Sequence, residues 1–291
     1  MAARRLVEPT RIGVLVPPSF FASAWIDAIT SAARERGWLS DVFLDRLPAD
    51  WASAPRVVLV TEAWPDLLSF EPTHLAVLVP AVDDAVGHAK WGDSVIERLR
   101  HVSHRLSEAS VAVQRADLVV EASAATIDLF DLGPVSSGQT GRPDAGPVGA
   151  DAPLNLFCSL PPKVGASAVW PLDLFTMPTA TLTPEGALRM DITGRSRVLI
   201  YGPYIELPPG VWEVTFTFAV SSTNSVPFRF EWGSPHGEVI VSEKVSVSGI
   251  YEIALRRTWD AIEPAEIRIY LDHAIFDGQF DVIACRVARV G

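Results

Sequence analysis

Apolar and polar positions alternate strictly along one stretch of the chain, YGPYIELPPGVWEVTFTFAV from Tyr201 to Val220. Trp212, Val214, Phe216 and Phe218 are separated by Glu213, Thr215 and Thr217, the period of a strand with one buried face. Pro208 to Gly210 reads as the turn that ends one extended run and starts the next. The alternation returns in Val226 to Trp232, Ile250 to Arg256, Ala265 to Leu271 and Phe280 to Val290. Two antiparallel sheets meeting across such faces make an all-β sandwich of jelly-roll type, placed at 165–291. The inward aromatic residues, Trp212 above all, are read as core.

The chain before Pro134 is patterned differently. Short apolar runs at Ile12 to Val16, Val42 to Leu44, Val57 to Val60, Leu75 to Val79 and Leu118 to Val120 lack alternation, as strands buried on both faces do. Between them lie helical patterns. One spans about Ala22 to Arg36 and stops at Gly37; another carries Val95, Leu99, Val102, Leu106, Ala109 and Val113 at steps of three and four, with Asp93 placed to cap it. The order predicts a doubly wound α/β domain with a parallel sheet at 1–132. From Gly133 to Pro153 the chain reads GPVSSGQTGRPDAGPVGADAP, without periodicity, so 133–164 is expected to be a Pro/Gly-rich linker.

Ligands of such α/β domains bind beyond the carboxyl ends of the strands. Ser19 and Thr61 fall there, but the first loop has no G-x-G-x-x-G and no phosphate-binding loop follows, so no nucleotide cofactor is expected. Asp83, Asp84, His88 and Lys90, between Ala81 and Trp91, are read as a solvated loop. Glu97, His101, His104 and Glu108 share a helix face; with no Cys nearby and no H-E-x-x-H, no metal site is assigned.

Composition narrows the partners. The 24 basic and 35 acidic residues leave a net charge of -11, which repels phosphate backbones and anionic lipid, so no nucleic acid is expected as partner. No apolar segment reaches the ~20 residues a bilayer requires, so no membrane insertion is expected. The first apolar run is broken by Gly13, Pro17 and Pro18 and does not read as a signal peptide. Synthesis in the cytoplasm is expected, with a place in an exported or released assembly left open. Cys158 and Cys285 suggest no disulfide framework.

The segment ASVAVQRADLVVEASAATIDLF, Ala109 to Phe130, resembles the end of the N-terminal Rossmann-like half of GT-B glycosyltransferases, and RIGVLVPP is compatible with the first strand of that half. The resemblance implies an α/β scaffold and sugar-transfer chemistry. In that family the nucleotide sugar is bound mainly by a second Rossmann-like half, and no such pattern follows Leu132 here. The later chain resembles the jelly-roll carbohydrate-binding modules of bacterial proteins. YGPYIELPPGVWEVTFTF looks like their L-P-x-G-x-Y-x-V-x-F hairpin, and FDGQFDVIACRVARV is similar to their closing strand pair. That resemblance implies a ligand site in rim loops or on an outer concave face, where aromatic rings stack on sugar C–H faces and polar groups bind hydroxyls.

Loop positions meeting that description are Trp232 with His236, Trp259 with Asp260, and Asp272 with His273 and Asp277. The alternative for the same residues is that Trp259 plugs the end of the sandwich while Asp272 and Asp277 shape turns. No catalytic residue set is assigned. The expected function is non-catalytic recognition of a bacterial surface polysaccharide by the sandwich, the α/β domain serving as an assembly platform for a protein partner. Two alternatives stand beside it: a glycosyltransferase-like enzyme or subunit of polysaccharide synthesis, and a structural adhesion spike or fibre component of a phage-like particle. Limited proteolysis is expected to cut first between Gly133 and Pro153, where Gly and Pro dominate. First cuts inside Val211 to Val220 would overturn that boundary.

Overall fold

The computed structural model describes residues 9–42, 51, 54–88, 94–139, 152–183 and 187–291. The chain divides into two units, Met1–Trp91 with Arg105–Val148, and Gly92–His104 with Gly149–Gly291. The first unit contains β1 (Thr10–Leu15), α1 (Ala22–Glu35), β2 (Leu39–Asp41), β3 (Arg56–Thr61), α2 (Trp64–Phe70), β4 (His74–Val79) and α3 (Val82–His88). Helix α4 (Val95–Val113) is divided between the units after His104, and β5 (Leu118–Glu121), β6 (Thr126–Asp128) and β7 (Pro134–Ser136) complete the first.

Strands β1 to β5 form one parallel sheet in the order β2-β3-β1-β4-β5. Ile12, Val14, Val58, Val60, Ala76 and Leu78 pack with Trp25, Ile29 and Ala33 of α1, because alternate residues of a strand face the same side. The Trp25 indole N–H donates to the Ala122 carbonyl at 2.7 Å. Helix α2 meets the other parity of β1: a Cβ on Gly13 would stand 2.9 Å from Leu67 Cδ2. Gly37, with φ +72°, stops the chain beyond α1 in the left-handed conformation that glycine adopts without cost.

Three sequence expectations change here. The strand expected at Val42 to Leu44 begins earlier, as β2, and Phe43 and Leu44 lie outside the described residues. The solvated loop expected after Pro80 is in part a helix, α3, whose Asp84 is buried. The Asp84 carboxylate accepts the Phe20 backbone N–H at 3.1 Å and lies 3.0 Å from His88 Nδ1, so it pins the β1–α1 loop. Lys90 and Trp91 lie outside the described residues, as does Asp93, the expected cap of α4. Ser94 caps that helix instead. Glu97 accepts from the Ser94 N–H at 3.2 Å and the Ser94 hydroxyl accepts the Glu97 N–H at 3.2 Å, a reciprocal pair that satisfies two first-turn donors.

Within the stretch expected as linker, Pro134–Ser136 is β7, paired with β6, and Val135 packs in the core of the first unit. Ala152–Phe157 is a 3-10 turn with Leu154, Leu156 and Phe157 buried. Residues 140–151 lie outside the described set.

The second unit is a sandwich of two antiparallel sheets. Its strands are β8 (Ser167–Val169), β9 (Thr181–Leu182), β10 (Leu188–Asp191), β11 (Arg197–Leu207), β12 (Gly210–Ser221), β13 (Val226–Ser234), β14 (Gly237–Val245), β15 (Gly249–Trp259), β16 (Glu263–Leu271) and β17 (Gln279–Arg289). The six-stranded sheet runs β15-β12-β17-β10-β9, with β8 added to β17, and the four-stranded sheet runs β11-β16-β13-β14. Trp212, Val214, Phe216, Phe218 and Val220 of β12 are all buried, as the alternation predicts. Phe218 stands 5.3 Å from Phe230 across the sandwich and 5.2 Å from Phe280 beside it.

No helix among the described residues is long and apolar enough to cross a membrane. Trp212 has no exposed surface, and its indole N–H donates to the Pro208 carbonyl at 2.9 Å. Trp212→Ala is expected to cost ~3 to 5 kcal/mol as a large-to-small core truncation. Chemical denaturation should show it as a lowered midpoint with an unchanged slope.

Candidate functional site

The register of β12 against β15 sets the two ends of the sandwich. Gly210 pairs with Trp259 at one end and Val220 with Gly249 at the other, so the ends lie about 34 Å apart at ~3.4 Å per residue. The expected site residues divide between them. Trp232, Trp259, His236 and Asp260 lie at the first end, Asp272, His273 and Asp277 at the second.

At the first end the exposed indoles expected of Trp232 and Trp259 are absent, because both rings are buried. Their centroids are 5.1 Å apart, and the Arg257 guanidinium sits 4.6 Å over the Trp259 ring. Arg257 donates to Glu263 at 3.2 Å, and the Ser234 hydroxyl donates to the same carboxylate oxygen at 2.6 Å. The tryptophans therefore plug the sandwich, and Ser234, Arg257 and Glu263 are bonded to one another beside them. His236 and Asp260 are exposed on the turns outside the plug.

At the second end three loops meet, residues 222–225, 246–248 and 272–278. Asp277 and Ser222 together tie them to one another. One of its carboxylate oxygens accepts the Thr223 N–H at 3.0 Å and the Thr223 hydroxyl at 2.9 Å, and the other accepts the Asn224 side-chain N–H at 2.8 Å. Ser222 donates its hydroxyl to the Asp277 carbonyl at 3.1 Å and its N–H to Ser248 Oγ at 3.1 Å, and Ser248 returns a bond to the Ser222 carbonyl. These bonds to the charged form hold the Asp277 carboxyl below its ordinary value of 3.8, the Thr223 N–H first among them.

Phe276 stands on this rim at 94 % exposure. Its position follows from its neighbours. Ile275 is buried and exchanges backbone hydrogen bonds with Gly194 at 2.9 and 3.0 Å, which turns the next side chain outward. Gly278, at φ +155°, lets the loop lie against Ile192, where a Cβ would come within 3.1 Å. His273 is exposed on the same loop, whereas Asp272 turns to the outer face of the four-stranded sheet, 3.4 Å from Arg229.

A shallow groove of about 430 Å³ adjoins the rim on the outer face of the six-stranded sheet. Arg189, Ser221, Ser248, Ile250, Gln279 and Asp281 line it. Arg189 binds Asp281 through two hydrogen bonds of 2.8 and 2.6 Å, and Ile250 is 72 % exposed. The end of the sandwich thus offers an apolar ring and an apolar side chain set among hydroxyl, amide and guanidinium groups. Among the described residues no group of three or more His, Cys, Asp or Glu is arranged to hold a metal ion.

The sequence pattern marks Asp277 and His273 but not Phe276, which there is only the first residue of the closing strand motif. The usable signal was an aromatic residue directly before Asp-Gly, outside the alternation that begins at Phe280.

No family model and no curated protein matches the chain. Three of the similar solved structures fall on about two fifths of it. TmCBM61, solved with β-1,4-galactotriose, is 16 % identical over 43 % of this chain and 82 % of its own, with a TM-score of 0.29. The C-terminal CBM6 of the marine laminarinase LamC from Zobellia galactanivorans is 13 % identical over 40 % and 90 %, with a TM-score of 0.28. The CBM22-1 xylan-binding domain of Xyn10C from Paenibacillus barcinonensis is 8 % identical over 43 % and 85 %, with a TM-score of 0.27.

A carboxyl whose folded pKa is depressed stabilises the fold above its unfolded pKa and loses that contribution as pH falls through the folded value. Asp277 is therefore expected to titrate below 3.8 in a carboxyl NMR titration, and the rim to stay closed through neutral and mildly acid pH. Asp277→Ala should abolish hydrogen-exchange protection at Thr223 while leaving that of β12 unchanged.

Proposed function

We propose that the second unit is a non-catalytic carbohydrate-binding module that recognises a bacterial surface polysaccharide through the rim around Phe276. The observation behind this reading is a fully presented phenyl ring on a loop held rigid by polar side chains. A pyranose has an apolar C–H face and an edge of hydroxyls, so it needs a ring to stack on and fixed hydrogen-bonding groups beside it. Phe276 supplies the first. The Asn224 side-chain oxygen, His273 and Gln279 supply the second, while Asp277 orders the loops that carry them.

The groove beside the rim extends the site for a chain longer than one sugar. Arg189 and Asp281 are already paired there, so they present a neutral, hydrogen-bonding edge. With a net charge of -11 the chain disfavours polyanions, and a neutral glycan is the class that fits. A single site of this kind binds weakly, and display in several copies raises the avidity by ~100-fold or more.

Retention of the full chain, multimerised on beads, on an array of bacterial glycans is the test. Wild-type protein is expected to be retained on neutral glycans and Phe276→Ala to lose retention, with stability within ~0.5 kcal/mol of wild type because nothing packs on the ring. Trp259→Ala should instead lower stability by ~3 to 5 kcal/mol as a core truncation. An array without retention of wild type, or retention unchanged in Phe276→Ala, would remove the rim as a glycan site.

A further inference from the structure

Strand β14 is the last strand of the four-stranded sheet and, among the described residues, pairs only with β13. From Gly237 to Val245 it pairs with β13 without a register shift, and it contains no proline. A long, regular, free edge of this kind is a template for another strand unless something blocks it.

The direction of the free backbone groups is fixed by Pro227. Its carbonyl accepts the Asp272 N–H at 3.1 Å on the β16 side, so it points away from β14. Pro227 and Lys244 are therefore opposite one another without exchanging backbone hydrogen bonds. By alternation Lys244, Ser242, Ile240 and Glu238 turn their N–H and C=O groups to the open edge, each with one donor and one acceptor. The side chains of the same residues share the outer face of the sheet, with a carboxylate at one end and an ammonium at the other.

We propose that this edge pairs with β14 of a second copy of the chain, antiparallel, about a two-fold axis at Val241. Glu238 and Lys244 lie three residues on either side of Val241, so each Glu238 then faces a Lys244 and each Ile240 faces a Ser242. Every residue with outward backbone groups meets another such residue, which forms the closely spaced hydrogen-bond pairs of an antiparallel ladder. A slip of one residue sets open backbone groups against groups already used by β13. A slip of two keeps the bonding but places Lys244 opposite Ile240 or His236, and both ion pairs are lost.

The neighbouring groups are compatible with this register. Lys244 is exposed, and Glu238 stays within 3.7 Å of Arg268, which extends the cross-strand pair into a line of charge. On the inner face Glu243 would meet Val239 of the copy. Glu243 is exposed and lines a cleft of about 450 Å³ between β14 and β15. The contact is isologous and closes on itself, so it ends at two copies. Because the strands run antiparallel, the two rims face opposite ways along the strand direction.

Sedimentation velocity of the full chain over a dilution series tests the pairing. Wild type is expected to sediment as a dimer. Lys244→Glu, which opposes two carboxylates, should weaken the dimer by about tenfold or more. Combining it with Glu238→Lys should restore wild-type association. Ser242→Pro removes an outward N–H that β13 does not use, so it should give a folded monomer, with circular dichroism confirming the fold. A wild type that stays monomeric throughout the series, a dimer unaffected by Ser242→Pro, or a folded double variant that does not reassociate would each overturn the proposal. None of these readouts involves a glycan, so they are independent of the role assigned to Phe276.

Discussion

The sandwich depends on aromatic contact between its two sheets. Phe218 of the six-stranded sheet meets Phe228 and Phe230 of the four-stranded one at 6.1 and 5.3 Å, and Phe280 at 5.2 Å on its own side. Rings of this size bury much apolar area per residue, and their offset and edge contacts add to it. β12 can carry this seam because it is bonded along its length to β15 on one side and β17 on the other. With its backbone satisfied on both edges, the strand is free to turn alternate side chains wholly inward.

What was legible in the sequence follows from that arrangement. Strands with one clean buried face, β12, β13, β16 and β17, announce themselves by alternation, and the strands of the parallel sheet by unbroken Val and Leu runs. β14 gave no such signal. Only Val245 of it is buried, since a strand at the edge of a sheet has weak demands on either face. α3 was hidden for another reason: its helix is short, and the burial of Asp84 depends on Phe20, a residue 64 positions away in sequence.

The candidate site was half legible for a related reason. An aromatic residue beside a polar one at a strand end has two physical fates, plug or platform, and local sequence does not distinguish them. Trp259 is a plug because Trp232 and Arg257 pack on it. Phe276 is a platform because Ile275, one residue earlier, takes the inward position. The bonds that order the platform run between Thr223 and Asp277, 54 residues apart, a pairing that appears only once the sheets are folded.

That rim is assembled from side-chain hydrogen bonds among Ser222, Thr223, Asn224, Ser248 and Asp277, while the core below it is assembled from rings. The two share no side chain. The residue at 276 can therefore be exchanged, and the surface of the rim altered, while the folding free energy stays where it was. A scaffold divided in this way can diversify the surface of its rim faster than its stability drifts, because substitutions of exposed rim side chains do not draw on the margin that keeps the domain folded.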